Sequence, residues 1–164
     1  MTDSGNSLRQ FVEHVARRAE YLFKKQGQLS PMYHAIDAAG NNYVLPGPAG
    51  CSKDEAVAKV KAYLKACEAV RVAFLDEAWT LDQEKNPGVD IDRIYREGGS
   101  IANHPKRVEA VIISAEDHHE GLLMATREII RHGNRAVLGK LKFMEGGSME
   151  GRMVGLLPPL GTKH

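Results

Sequence analysis

The chain has 164 residues, 43% of them hydrophobic and 26% charged, which are the proportions of an ordinary globular protein. A formal net charge of +1 and a sequence pI of about 7.8 exclude the global basic field that draws a domain onto nucleic acid or an anionic membrane. The length suits one domain over residues 1–164, large enough to remove about two-thirds of its unfolded surface from water.

The opening MTDSGNSLRQ lacks a charged-then-apolar signal pattern, and no segment approaches about 18 consecutive apolar residues. From Leu8 the pattern is helical. Leu8, Phe11, Val12, Val15, Ala19, Leu22 and Phe23 recur at helical spacing, Ser4, Asn6 or Ser7 is placed to cap the start, and Gly27 to stop it. Two β-prone runs follow, 32–36 and 43–45, around the polar turn DAAGNN, and predict a hairpin.

Ser52 with Glu55 three residues later announces a second helix. Ala56, Val57, Val60, Tyr63, Leu64 and Cys67 form its apolar stripe, while Lys53, Lys59, Lys61 and Lys65 read as a solvated face. The helix separates Cys51 from Cys67 by about 24 Å at 1.5 Å per residue, too far for a disulfide. Free thiols fit a reducing compartment, so a cytoplasmic location is expected.

The period then changes from 3.6 to 2. Strands are expected at 70–81, 108–115, 122–131, 135–144 and 152–157. The run EGLLMATREIIRHGN also fits a helix, but the turn signals on both sides favour a strand. Residues 82–106 make a long polar connection in which Ile91, Ile94 and Tyr95 suit a single helical turn; connections of this length are usually binding loops, lids or flexible insertions. Flexible tails are expected at 1–6 and 158–164. These elements predict an α+β fold: a meander-like antiparallel sheet of five to seven strands with two helices packed on one face.

The acidic end of RVAFLDEAWTL looks like a magnesium-holding strand, but the phosphate loop that such a strand serves is missing. The nearest stretch, GNRAVLGKL, has five residues between its glycines and a leucine where a hydroxyl belongs. A second stretch, His104-Pro105 followed by Ser114-x-x-Asp117, resembles the zinc signature of the JAB/MPN metalloproteases. Ala102 stands where the first histidine ligand belongs, and two ligands do not make a three-ligand zinc site. The cluster EDHHE, Glu116 to Glu120, carries good metal-ligand types in Glu116, Asp117, His118 and His119. Five consecutive residues on a turn fan outward, so no metal or cofactor is expected.

Strand parity supplies the strongest chemical candidate. Asp76 continues the apolar row of Val72 and Phe74, and His34 shares a row with Met32 and Ile36. If both rows face the same helix layer, the two polar groups can satisfy one another and serve as an acid–base pair. Glu77 and His104, at the ends of the long loop, are the further catalytic candidates; Trp79 and Tyr95 are candidates for holding a partner. The functional expectation is a small soluble binding or regulatory module without catalytic activity, acting through a protein partner or self-association. The alternative is a small hydrolase-like enzyme using His34 and Asp76. Nucleic acid and membrane are not expected partners, because Arg17, Arg18, Lys24 and Lys25 lie on one helix without interleaved exposed aromatics.

Overall fold

The structure, a computed structural model, describes residues 6–82, 84–144 and 155–159. Helix α1 runs over Leu8–Gln26. Its start is a reciprocal capping box: Gln10 N–H donates to Ser7 Oγ at 3.1 Å, and Ser7 N–H donates to Gln10 Oε1 at 2.8 Å, so two otherwise orphaned donors are satisfied. At the other end Gly27, with φ of 74°, returns its N–H to the Phe23 carbonyl at 2.7 Å, a conformation that costs glycine little.

Strands β1 (Met32–Asp37) and β2 (Asn42–Pro46) form the expected hairpin. Asp37 closes it by accepting from the N–H groups of Ala39 and Asn41, from Asn41 Nδ2 and from the Tyr43 hydroxyl, all at 2.9–3.0 Å. Helix α2 (Lys53–Ala66) starts at Ser52, whose hydroxyl accepts from Glu55 N–H at 3.1 Å. Then come β3 (Ala69–Thr80), a short helix α3 (Ile91–Arg96), a 3-10 turn at Ile101–Asn103, and strands β4 (Val108–Asp117), β5 (Gly121–His132) and β6 (Arg135–Met144).

The six strands make one antiparallel sheet in the order β2-β1-β3-β4-β5-β6. The segment with two possible readings is strand β5, bounded by tight turns at Gly121 and Gly133 with φ of 82° and 63°. Of the strand expected at 152–157, residues 152–154 lie outside the described residues and 155–157 are not extended. Leu156 and Leu157 instead donate their N–H groups to the Glu116 carboxylate at 3.0 and 3.3 Å. The expected tails, 1–6 and 158–164, lie outside the described residues except for 6, 158 and 159.

The helix layer differs from expectation, because the two long helices pack on opposite faces of the sheet. Phe11, Val12, Val15, Ala19 and Phe23 of α1 form a core with Ala73, Leu75, Val111, Ile113, Ala125 and Ile129. Val60 and Leu64 of α2 form a second core with Tyr33, Ala35 and Val72. Beyond the irregular start of β3, Ala73 and Leu75 serve the first core and Val72 and Phe74 the second, as alternation along a strand requires. A strand covered on both faces is apolar in both rows, and Val72, Ala73 and Leu75 are all at most 1% exposed.

A guanidinium ties the N-terminal end of α1 to this frame. Arg71 donates from Nε to Asp117 at 2.8 Å, from Nη2 to Glu120 at 2.9 Å and from Nη1 to the Asn6 carbonyl at 3.1 Å, and it stacks on Phe11. Glu120 also accepts from Leu8 N–H at 2.8 Å. At the other end of the helix Arg127 bridges Glu20, at 2.8 Å, and the Gly139 carbonyl, at 2.7 Å. There β6 carries an extra residue relative to β5.

Candidate cleft between helix α1 and the first hairpin

Helix α1 packs over β3, β4, β5 and β6, so its side toward β1 and β2 is left with less beneath it. Strand β2 contributes nothing to the α1 core: Asn42, Val44 and Pro46, the row on that face, are exposed. The result is an open cleft of about 650 Å³ between the flank of α1 and the hairpin, within the size range of small-molecule sites. His14, Arg17 and Arg18 line it from the helix, Phe11 and Val44 add apolar surface, and His34 lies on its inner wall. Positions 14, 17 and 18 follow the i, i+3, i+4 rule, which puts them on one flank.

His34 is unusual. It is buried, 6% exposed, and its Nε2 has no hydrogen-bond partner. Burial first, and then the charges of Arg18 and His14, press its pKa down to about 4 from an ordinary 6.5. The imidazole is therefore neutral near pH 7, with an unused nitrogen.

The expected partner is on the other side of the sheet. His34 pairs with Ala73 in β3, and residues directly opposite in a ladder point to the same face. His34 thus faces α1 with the odd residues of β3, whereas Asp76 faces away with Val72 and Phe74. The Asp76 carboxylate accepts from Glu77 N–H at 2.8 Å. Burial raises its pKa against that hydrogen bond, and the Glu77 charge adds to the rise. Tyr33, on the same face, is raised by burial and by Asp76. Glu77 faces α1 but accepts from Leu29 N–H at 2.7 Å, fixing the link between α1 and β1. His104 sits in the turn before β4, its Nδ1 accepting from Lys106 N–H at 3.1 Å. Because β4 begins opposite Thr80, that turn lies seven residues along β3 from Ala73, on the order of 20 Å. The four catalytic candidates are not brought together.

Trp79 is 41% exposed beneath the Arg107 guanidinium, 4.7 Å from its ring, and Tyr95 is 57% exposed on α3. Both are surface side chains. In the EDHHE turn, Glu116 and Asp117 point to opposite faces, and Asp117 is a buried structural group. Burial alone would raise its pKa, but hydrogen bonds from Glu120 N–H, Arg71 and His119 N–H outweigh that and keep it low. Among the described residues no three His, Cys, Asp or Glu side chains are placed to hold a metal. Ser114 and Asp117 likewise fall on opposite faces, against the JAB/MPN resemblance. No described helix is long and apolar enough to cross a membrane.

No family model, curated protein or solved structure matches this chain. The cleft is therefore read from its own geometry.

Sequence reasoning missed the cleft. Arg17 and Arg18 read in the sequence as basic groups of one helix surface, and His14 belongs to no motif. The readable signal was the His14, Arg17, Arg18 spacing on a helix that precedes a strand carrying His34.

Proposed function

We propose that this chain is a non-enzymatic binding module whose ligand enters the cleft between α1 and the first hairpin. The observation that carries this reading is an open cleft lined by two guanidinium groups, Arg17 and Arg18, that have no ion-pair partner among the described residues, with the buried imidazole of His34 and its unpaired Nε2 in the wall behind. A buried polar atom without a partner costs about 1–3 kcal/mol, and such exceptions are informative because nearly all buried polar groups are satisfied. The hydrolase-like alternative has less support, since His34 and Asp76 face opposite sides of the sheet.

The test is a fragment screen read by amide chemical shifts on the labelled protein, with Val44→Trp as the variant that fills the cleft. Perturbations clustered at residues 10–18, 34 and 44, and lost in Val44→Trp, are the expected result. Fragments that leave these residues unperturbed overturn the reading.

Self-association is supported by a separate observation. Leu122, Val137 and Met144 are each 44–45% exposed, and the register of β5 and β6 places all three on the sheet face away from α1, Leu122 and Met144 toward one end and Val137 on the order of 20 Å along β6. Light scattering on the native chain and on Val137→Lys tests it: a dimer that the lysine converts to a monomer supports the idea, and a monomer throughout removes it. Free Cys51 and Cys67 support a reducing compartment such as the cytoplasm.

A further inference from the structure

The chemistry of the cleft narrows the class of ligand, given that the cleft is a binding site. Most basic side chains of α1 and its surroundings are already engaged: Arg9 with Glu13 at 3.7 Å and over the Phe143 ring, Lys24 with Glu20, Arg71 with Asp117 and Glu120, and Arg127 with Glu20. Arg17 and Arg18 have no ion-pair partner among the described residues, and both line the cleft. The single carboxylate in the lining, Glu13, is the one paired with Arg9. Two uncommitted guanidinium groups are suited to a carboxylate or phosphate, which they bind through paired N–H groups. Val44 offers exposed apolar surface beside them, with Phe11 and the neutral, buried imidazole of His34 in the wall.

From this arrangement we infer that the cleft takes a small organic anion, its phosphate or carboxylate group held by Arg17 and Arg18 and its apolar body against Val44. A metal ion does not suit the same groups, because guanidinium ions repel it and the lining holds one carboxylate, Glu13, already paired with Arg9. A neutral apolar ligand leaves both arginines unused.

The test titrates the labelled full chain with phenyl phosphate, benzoate, benzyl alcohol and inorganic phosphate, reading the amide shifts of residues 10–18 and 44 and the ring nitrogens of His34. Saturable binding of phenyl phosphate or benzoate is expected, with benzyl alcohol and inorganic phosphate at least about tenfold weaker, since each lacks half of the recognised chemistry. Arg17→Gln with Arg18→Gln, both exposed positions at which folding is not at stake, lowers the affinity about tenfold or more and leaves the weak benzyl alcohol binding unchanged. Benzyl alcohol binding as tightly as the anions, without dependence on the arginines, overturns the anion inference and leaves the cleft a binding site. Inorganic phosphate binding as tightly as phenyl phosphate overturns the organic part, leaving a simple oxyanion site. No shift at the cleft with any of the four overturns the inference, and the fragment screen with Val44→Trp then decides separately whether the cleft binds anything.

Discussion

Replacing His34 by leucine should make the protein more stable, by an amount that grows as the pH falls. Near pH 7.5 the imidazole is neutral both folded and unfolded, so the gain is the relief of the unpaired Nε2, about 1–3 kcal/mol. Below its ordinary value of 6.5 the unfolded imidazole takes up a proton that the folded one, with a pKa of about 4, refuses. The unfolded state then binds more protons, and wild-type stability drops with falling pH by about 1.4 kcal/mol per unit. Between pH 6.5 and about pH 5 this amounts to roughly 2 kcal/mol, and it ends as the pH passes the folded value. His34→Leu lacks this loss. Urea denaturation of both proteins from about pH 7.5 to pH 5 measures the difference directly, and titrations of every other group largely cancel in the comparison. Parallel stability curves would refute the argument, because they would mean that His34 accepts its proton as freely in the folded chain as in water. A leucine variant that is more stable but no longer binds phenyl phosphate would connect the stability cost to the site.

Other consequences are equally direct. Arg71→Met removes the guanidinium from a nearly buried Asp117 and should cost about 3 kcal/mol at neutral pH. Because the Asp117 pKa is held low, that deficit should fade as the pH falls through the carboxylate range, which urea denaturation at two pH values checks. Leu64→Ala and Ile113→Ala, both at 0% exposure, should each cost about 2–5 kcal/mol. Lying on opposite faces of the sheet, they should add to within about 0.5 kcal/mol in the double variant; strong coupling would contradict two separate cores. Gly27→Ala, at φ of 74°, should lower stability by about 1 kcal/mol, visible as a lower thermal midpoint.

Local chemistry was well written into the sequence. Ser7 and Gly27 bound α1, Ser52 opens α2, Ile91, Ile94 and Tyr95 do form a helical turn, and the glycine turns on either side of β5 decided against a helix there. What escaped depends on distance along the chain. The pairing of β1 with β3 joins residues some forty positions apart, and a shift of one residue in it would have put His34 and Asp76 on one face. The opposite placement of the helices was foreshadowed by the two apolar rows of β3, a signal weaker than the alternation expected of a half-exposed sheet. The Arg71 node was hidden for a different reason: nothing local shows that a charge run such as EDHHE has one member turned inward to meet an arginine 46 residues earlier. The cleft exists because a 19-residue helix overhangs a five-residue edge strand, a mismatch that emerges only when the two are docked.

The placement of α1 also sets an order of events during synthesis. Its apolar face is covered by Ala73, Leu75, Val111, Ile113, Ala125 and Ile129, and its first turn is fastened to Glu120. At ribosomal rates of about 5–20 residues per second, Ile129 follows Leu8 by on the order of ten seconds. Throughout that interval the helix emerges ahead of its cover, and Phe11, Val12, Val15 and Phe23 are available to chaperones or to neighbouring nascent chains. The segment made earliest is thus among the last to be enclosed, and translation pauses before β5 should affect the yield of this protein more than pauses after it.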